Sequence, residues 1–149
     1  MIWHGHGDSP HIFRSTFAGD TVLEIVIDWP RAQVLPEELA EWEANSSVTR
    51  FREMGGVLDR NRIPKAKPFF DGIFVDPDGY VWLSVPAGPV QTVFAVLDPQ
   101  GRYLGRLQVD AAERDAFLAP VVRNGRLHFV GKDELDVQRV YGFRIEGRD

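Results

Sequence analysis

One hairpin pattern repeats along this chain of 149 residues, and the repetition limits the folds that the sequence can adopt. The stretch "DPDGYVWLSV" (Asp76 to Val85) predicts two strands around a tight turn. The stretch "DPQGRYLGRL" (Asp98 to Leu107) spells a similar turn 22 residues later. Glycine adopts positive φ freely and aspartate tolerates it, so both stretches are typical of β-hairpins. We therefore expect DPDG and DPQG to close two successive hairpins.

A longer pattern of strand, turn and second strand occurs three times, at residues 11–28, at 92–110 and, incomplete, at 139–149. A shorter strand precedes each copy, and two copies have a further strand before it, at 73–79 and 120–125. If one repeat is called A, B, C and D, the chain reads as strands BCD, then ABCD, then ABC. The interval of 47 residues from Phe94 to Tyr141 is close to the period of a propeller blade.

The sequence thus predicts an all-β chain of antiparallel four-stranded propeller-type blades, a partial propeller. An antiparallel sandwich, with the same strands in two facing sheets, is the alternative. Strand order distinguishes the two, because a blade requires residues 73–78, 80–85, 92–97 and 102–109 to form one consecutive meander. We expect the aromatic residues that recur in these strands to lie in the core, namely Trp3, Trp82, Phe94, Phe129 and Tyr141.

The first repeat interval is 34 residues longer than the second, which predicts a short helical insertion at residues 35–56, between the first and second blades. Pro36 suits a first helical position, and Glu37 and Glu38 suit the first turn. A second helix is expected from a cap at Ser47 to Gly55. We expect Leu35, Leu39, Trp42, Phe51 and Met54 to pack against the blade surface, with Glu37, Glu38, Glu41 and Glu43 facing water.

Three stretches, "PFFDGIFVDPDGYVWLSV", "FAVLDPQGRYLGRL" and "VYGFRIEG", resemble the C-terminal part of bacterial six-bladed β-propellers related to the NHL-repeat type. The resemblance covers essentially the whole chain and implies a single partial propeller domain over residues 1–149, of about two and a half blades. It rests on turns and blade-packing residues. No catalytic motif shared by that family is matched, so the resemblance implies a fold and little about activity.

Composition excludes several classes of function. The chain has no cysteine, which rules out disulfides, thiolate metal sites and a cysteine nucleophile. A net charge of −5 argues against nucleic acid as a partner, and no apolar run is long enough to predict a membrane span. The first residues have neither the basic nor the apolar part of a secretion signal. We expect a soluble chain whose compartment is unknown, secreted or periplasmic if a signal preceded Met1.

The densest group of potential metal ligands lies in "HGHGDSPH", with His4, His6, Asp8 and His11. On a strand, His4 and His6 would point to one face, and imidazoles on one face can share a zinc or copper ion. A solvated loop rich in glycine and histidine is the alternative that we favour, so no cofactor is predicted. The carboxylates Asp133, Glu134 and Asp136 are interpreted as a solvated turn.

Two hypotheses about function follow. The leading one is a binding or scaffold module of β-propeller type, forming part of a larger propeller, because packing and turns account for every strong signal. The alternative is a metal-dependent propeller hydrolase or lyase that uses the His4, His6, Asp8 and His11 cluster. Strand B near Ile2-Trp3 and strand C at residues 140–145 are expected at open blade edges. Such edges favour a protein partner or self-association.

Overall fold

Three antiparallel sheets form the β part of the computed structural model, which describes residues 1–87, 91–110, 118–133, 135 and 137–146. The first sheet contains β1 (Ile2–Gly5), β2 (His11–Ser15) and β3 (Thr21–Val26) in that order. The second contains β4 (Gly72–Val75), β5 (Val81–Val85), β6 (Gln91–Leu97) and β7 (Tyr103–Asp110), also in chain order. The third contains β8 (Val121–Arg123), β9 (Arg126–Lys132) and β10 (Gln138–Arg144), with β9 in the middle.

The predicted division into three, four and three strands is confirmed, and so is the all-β class. Each sheet is a meander of consecutive strands, as a blade requires, and β4 to β7 form the one complete four-stranded unit. The strands β1 and β10 lie at sheet edges, where strands B and C were expected. Over the described ranges the sheets do not close into a ring, so the propeller-type arrangement stays a prediction.

The second sheet is buried on both faces. Side chains of a strand alternate between the two sides of the sheet, and each side packs in a different cluster. On one side, Val81 and Leu83 are fully buried in a cluster that includes Ile12 and Ile27 from the first-sheet region. On the other side, the buried side chains of the second sheet join those of the third; these residues are Trp82, Phe94, Val109, Val122, Leu127 and Phe129. The three sheets therefore pack face to face in chain order, with the second sheet in the centre.

The recurring aromatic residues lie in these two clusters, as expected. Trp82, Phe94 and Phe129 are buried, while Trp3 and Tyr141 are half-buried at the edges of their clusters. The Trp82 ring stacks with that of Phe74 and meets the ring of Phe94 edge to face, with centroids 5.7 and 6.0 Å apart. Such aromatic geometries add to the free energy gained by burial alone.

Residues 30–67 form a separate compact unit that contains α1 (Pro36–Ala44), α2 (Ser46–Glu53) and a 3₁₀-helix, Arg60–Arg62. Both α-helices lie within the predicted segment 35–56, and the unit extends beyond it on both sides. Its two ends are joined, since the guanidinium of Arg31 donates hydrogen bonds to the carbonyls of Ala66 and Lys67. Asn45 caps α2 by accepting from the amide of Ser47 at 2.9 Å, so the prediction of Ser47 as the cap is wrong.

The predicted division of this segment into packed apolar and solvated acidic residues is largely wrong. Four of the five apolar side chains are exposed by 43% to 73%, namely Leu35, Trp42, Phe51 and Met54. Two of the four acids have partners instead of water alone: Glu38 bonds to Lys67, and Glu43 bonds to Arg60 at 2.7 Å. The hydrogen bond from Lys67 lowers the pKa of Glu38. An acidic residue in the first turn of a helix, here Glu38, can thus form an ion pair with a basic residue distant in sequence.

Among the described residues, no helix combines the length and the apolar character that crossing a bilayer would require.

Candidate functional site

The same five-residue turn closes three of the hairpins, and an aspartate begins each copy: Asp76, Asp98 and Asp133. In each turn the Oδ1 atom of the aspartate accepts hydrogen bonds from the amides two and four residues later, at 2.9–3.0 Å. The amide of the aspartate donates to the carbonyl four residues later, again at 2.9–3.0 Å. One carboxylate oxygen therefore fixes the whole turn.

The second carboxylate oxygen of each turn accepts from a side chain at the end of the turn or on the following strand. Asp98 Oδ2 accepts from Arg102 Nε at 2.6 Å, and Asp133 Oδ2 accepts from Arg139 Nε. Burial raises the pKa of Asp98, but the hydrogen bonds from Arg102 and Gln100 outweigh this and hold the pKa below its usual range. The hydrogen bond from Arg139 lowers the pKa of Asp133. Both turns thus stabilise the fold at neutral pH, and the contribution is lost as the pH falls through the lowered values.

Asp133 is therefore a structural turn residue with a basic partner, which refines its interpretation as part of a solvated turn. Glu134 and Asp136, the other two members of that predicted carboxylate group, lie outside the described residues.

The turn at Asp76 differs from the others because its second oxygen accepts from a buried indole. Trp82 Nε1 donates to Asp76 Oδ2 at 3.0 Å, and the amide of Tyr80 donates to Oδ1 at the same distance. Trp82 is 1% exposed and Asp76 is 5% exposed. A buried donor needs a partner, so this hydrogen bond fixes the position of the indole. Asp76 thereby holds both Tyr80 and Trp82.

These two aromatic residues line a pocket of about 510 Å³ beside the second and third sheets. Val96, Leu104 and Leu107 from the second sheet, together with Ile145 after β10, complete its apolar part. Gly105 and Arg106 of β7, and the charged residues Arg144 and Glu146, make up the rest of the lining. A concave surface that combines apolar side chains with a few polar groups is the usual form of a small-molecule site.

A bulge in β7 shapes one side of this pocket. Val96 pairs with Gly105 and Leu97 pairs with Tyr103, so Leu104 is the extra residue. Gly105 has φ of +149°, which favours glycine, and Leu104 is exposed. Bulges re-aim side chains next to binding sites. The neighbouring Arg106 is turned to the other face of the sheet, where its guanidinium lies 5.2 Å from the ring centre of Trp29.

The histidine loop near the start of the chain is arranged differently from the prediction. β1 ends at Gly5, so the alternation of a strand does not extend to His6. His4 Nε2 lies 2.9 Å from Ser15 Oγ, and His11 Nδ1 lies 2.6 Å from Glu24 Oε1. His6 is largely exposed, and its Nδ1 atom is 4.0 Å from the carboxylate of Asp8.

Packing explains the two glycines between these histidines. A Cβ atom on Gly7 would lie 2.4 Å from the carbonyl oxygen of Phe70, and one on Gly5 would lie 2.9 Å from the carbonyl oxygen of His11. The amide of Phe69 also donates to the carbonyl of Gly7 at 2.7 Å. The close approach of neighbouring backbone thus requires glycine at both positions of HGHG. Nowhere in the described parts of the chain do three or more histidine or carboxylate side chains form a group that could hold a metal ion.

Comparison of the chain with protein-family models, curated proteins and solved structures finds no match. The resemblance to six-bladed NHL-type propellers therefore stays a prediction.

We predict that Asp76→Ala destabilises the protein by about 1–3 kcal/mol, because it leaves the buried Trp82 Nε1 donor without its acceptor. Chemical denaturation of the unaltered protein, Asp76→Ala, Trp82→Phe and the double variant gives the four free energies of unfolding of a double-mutant cycle. The double variant should lose less free energy of unfolding than the two single variants lose in sum. Additive losses would contradict the coupling of the turn to the indole.

The metal hypothesis is tested by elemental analysis of the purified protein. Since His4 and His11 each have a protein partner and His6 is largely exposed, we expect less than stoichiometric zinc, copper or iron. Stoichiometric metal that disappears in the variant with both His4→Ala and His6→Ala would contradict this expectation and favour the metal-dependent enzyme.

Proposed function

We propose that this chain is a binding module of β-propeller type and that the pocket beside Trp82 is its ligand site. The observation that carries the proposal is the pocket itself. Its volume of about 510 Å³ falls within the range of small-molecule sites, about 300–1,000 Å³. Its apolar residues come from β5, β6 and β7, from the Asp76 turn and from the residue after β10, and most of them pack in one core cluster, so it requires no rearrangement before a ligand binds.

The lining favours a small ligand with an apolar or aromatic ring and a polar substituent. Tyr80 and Leu107 offer aromatic and aliphatic surface to the ring, and the buried Trp82 lies behind them. Arg144 and Glu146 supply polar groups of opposite charge to the substituent. No nucleophile with an adjacent base lines this pocket in the described residues, which favours binding over catalysis.

We further propose that the module belongs to a larger propeller. Two features support this: the face-to-face packing of consecutive meanders, and the apolar residues left on the outer faces of the first and third sheets. Val26 of β3 is 60% exposed, and Val121 and Val140 of the third sheet are 56% and 73% exposed. In a propeller each sheet lies between two neighbours, so such faces would be covered. The central sheet of this chain has that environment on both sides.

The pocket is tested by titrating 1-anilinonaphthalene-8-sulfonate, a dye with aromatic rings and one sulfonate, into the native protein. We expect saturable binding, with NMR shift changes at the Trp82 indole and at the amides of Tyr80, Leu107 and Ile145. The variant Ile145→Trp, which fills the pocket, should weaken binding at least tenfold.

The matched control is Val140→Trp, which adds the same ring five residues earlier, on β10, at an exposed position outside the pocket. It should bind the dye as the unaltered protein does. Equal binding by both variants, or shift changes spread over the outer sheet faces, would contradict the assignment of the pocket.

A further inference from the structure

Three arginines stand side by side across the third sheet. Arg126 of β9 pairs with Arg123 of β8 on one side and with Arg144 of β10 on the other. Arg123 and Arg126 flank the tight turn Asn124-Gly125, whose φ angles of +51° and +68° suit a two-residue hairpin. The register thus puts three positive charges in one row at the end of the sheet.

This arginine row lies on the outer face of the sheet. Val122, Leu127 and Phe143 occupy the neighbouring positions and pack inward against the second sheet. Because alternate residues of a strand face opposite sides, Arg123, Arg126 and Arg144 belong to the opposite face. All three are exposed.

The arginine row forms no ion pair in the described part of the chain. None of the ion pairs there involves Arg123, Arg126 or Arg144, and the carboxylate of Glu146, two residues after Arg144, is not paired with it. Like charges at directly opposite positions have Cβ atoms about 4.5–5.5 Å apart and destabilise a sheet. In a protein whose net charge is −5, such a row creates a local positive potential, and a bound anion would reduce the repulsion among its three charges.

We propose that the arginine row binds a phosphate group, either free or carried by a larger ligand. A guanidinium presents a planar fork of donors that matches two oxygens of an anion. One carboxylate offers two oxygens and a single charge, which suits one fork. A phosphate offers three acceptor oxygens and a charge near −2, so it can engage three forks on neighbouring strands.

The arginine row lies at the turn end of the sheet, apart from the apolar residues of the same face. Val121, His128 and Gly142 form the adjoining row, and Val130 and Val140 pair beyond it. The proposed phosphate site therefore consists of the arginine row alone. This site is distinct from the pocket, although Arg144 also contributes to the pocket lining.

The test uses inorganic pyrophosphate as the probe, with citrate as the carboxylate comparison and sodium chloride at matched ionic strength. We expect pyrophosphate to shift the NMR signals of Asn124, Gly125 and the Arg126 side chain, and to bind more tightly than citrate. Arg126→Gln should raise the Kd for pyrophosphate at least tenfold. The control Arg50→Gln removes the same charge from the exposed surface of α2 and should change the Kd less than twofold.

Melting curves without added anion check that Arg126→Gln is folded and also test the charge repulsion within the row. At low salt Arg126→Gln should melt at or above the temperature of the unaltered protein, because it removes like-charge repulsion. Arg123→Gln should also raise the Kd for pyrophosphate, as Arg126→Gln does. The proposal is overturned if Arg126→Gln and Arg50→Gln bind pyrophosphate equally, if citrate binds more tightly, or if sodium chloride reproduces the shifts.

Discussion

The burial of the second sheet on both faces is the constraint on which the rest of this structure depends. A strand that alternates Val81, Trp82 and Leu83 has no face that tolerates water, so it requires apolar cover on each side. The first sheet supplies one cover and the third sheet the other. Large-to-small substitutions in such a core cost several kcal/mol each, a substantial part of the stability of a domain of this size. The outer sheets, by contrast, each have one covered face.

The aspartate turns connect this core to the candidate pocket. A turn carboxylate satisfies several backbone amides at once, which lets the chain reverse direction without leaving buried donors unpaired. At Asp76 the same carboxylate also fixes the Trp82 indole, whose surface belongs to both the core and the pocket. The pocket is thus preorganised by an interaction that stabilises the fold, and a ligand need not order these groups when it binds.

Much of the fold could be predicted from the sequence because its signals are local. Asp-x-x-Gly turns and Asn124-Gly125 identified the hairpins, and the three, four and three strands follow from them. The pocket could not be predicted, because Tyr80, Leu107 and Ile145 are far apart in sequence and meet only when the second and third sheets pack. The spacing of Asp76 and Trp82 across one tight turn is a sequence signal from which their hydrogen bond could be predicted. Gly5 and Gly7 have a packing reason of their own, since a Cβ atom at these positions would meet the backbone of His11 and of Phe70. The metal site at His4, His6, Asp8 and His11 stays a hypothesis.

Native-state hydrogen exchange is the measurement that tests the central role of the second sheet most directly. Amides paired between β5 and β6 should exchange only through global unfolding, so their exchange free energies should equal the free energy of unfolding from denaturation. The edge strands β1 and β10 should exchange through smaller openings. Exchange of the Leu83 and Ala95 amides as fast as that of the edge strands would contradict the account, because a sheet covered on both faces cannot open while its neighbours remain packed.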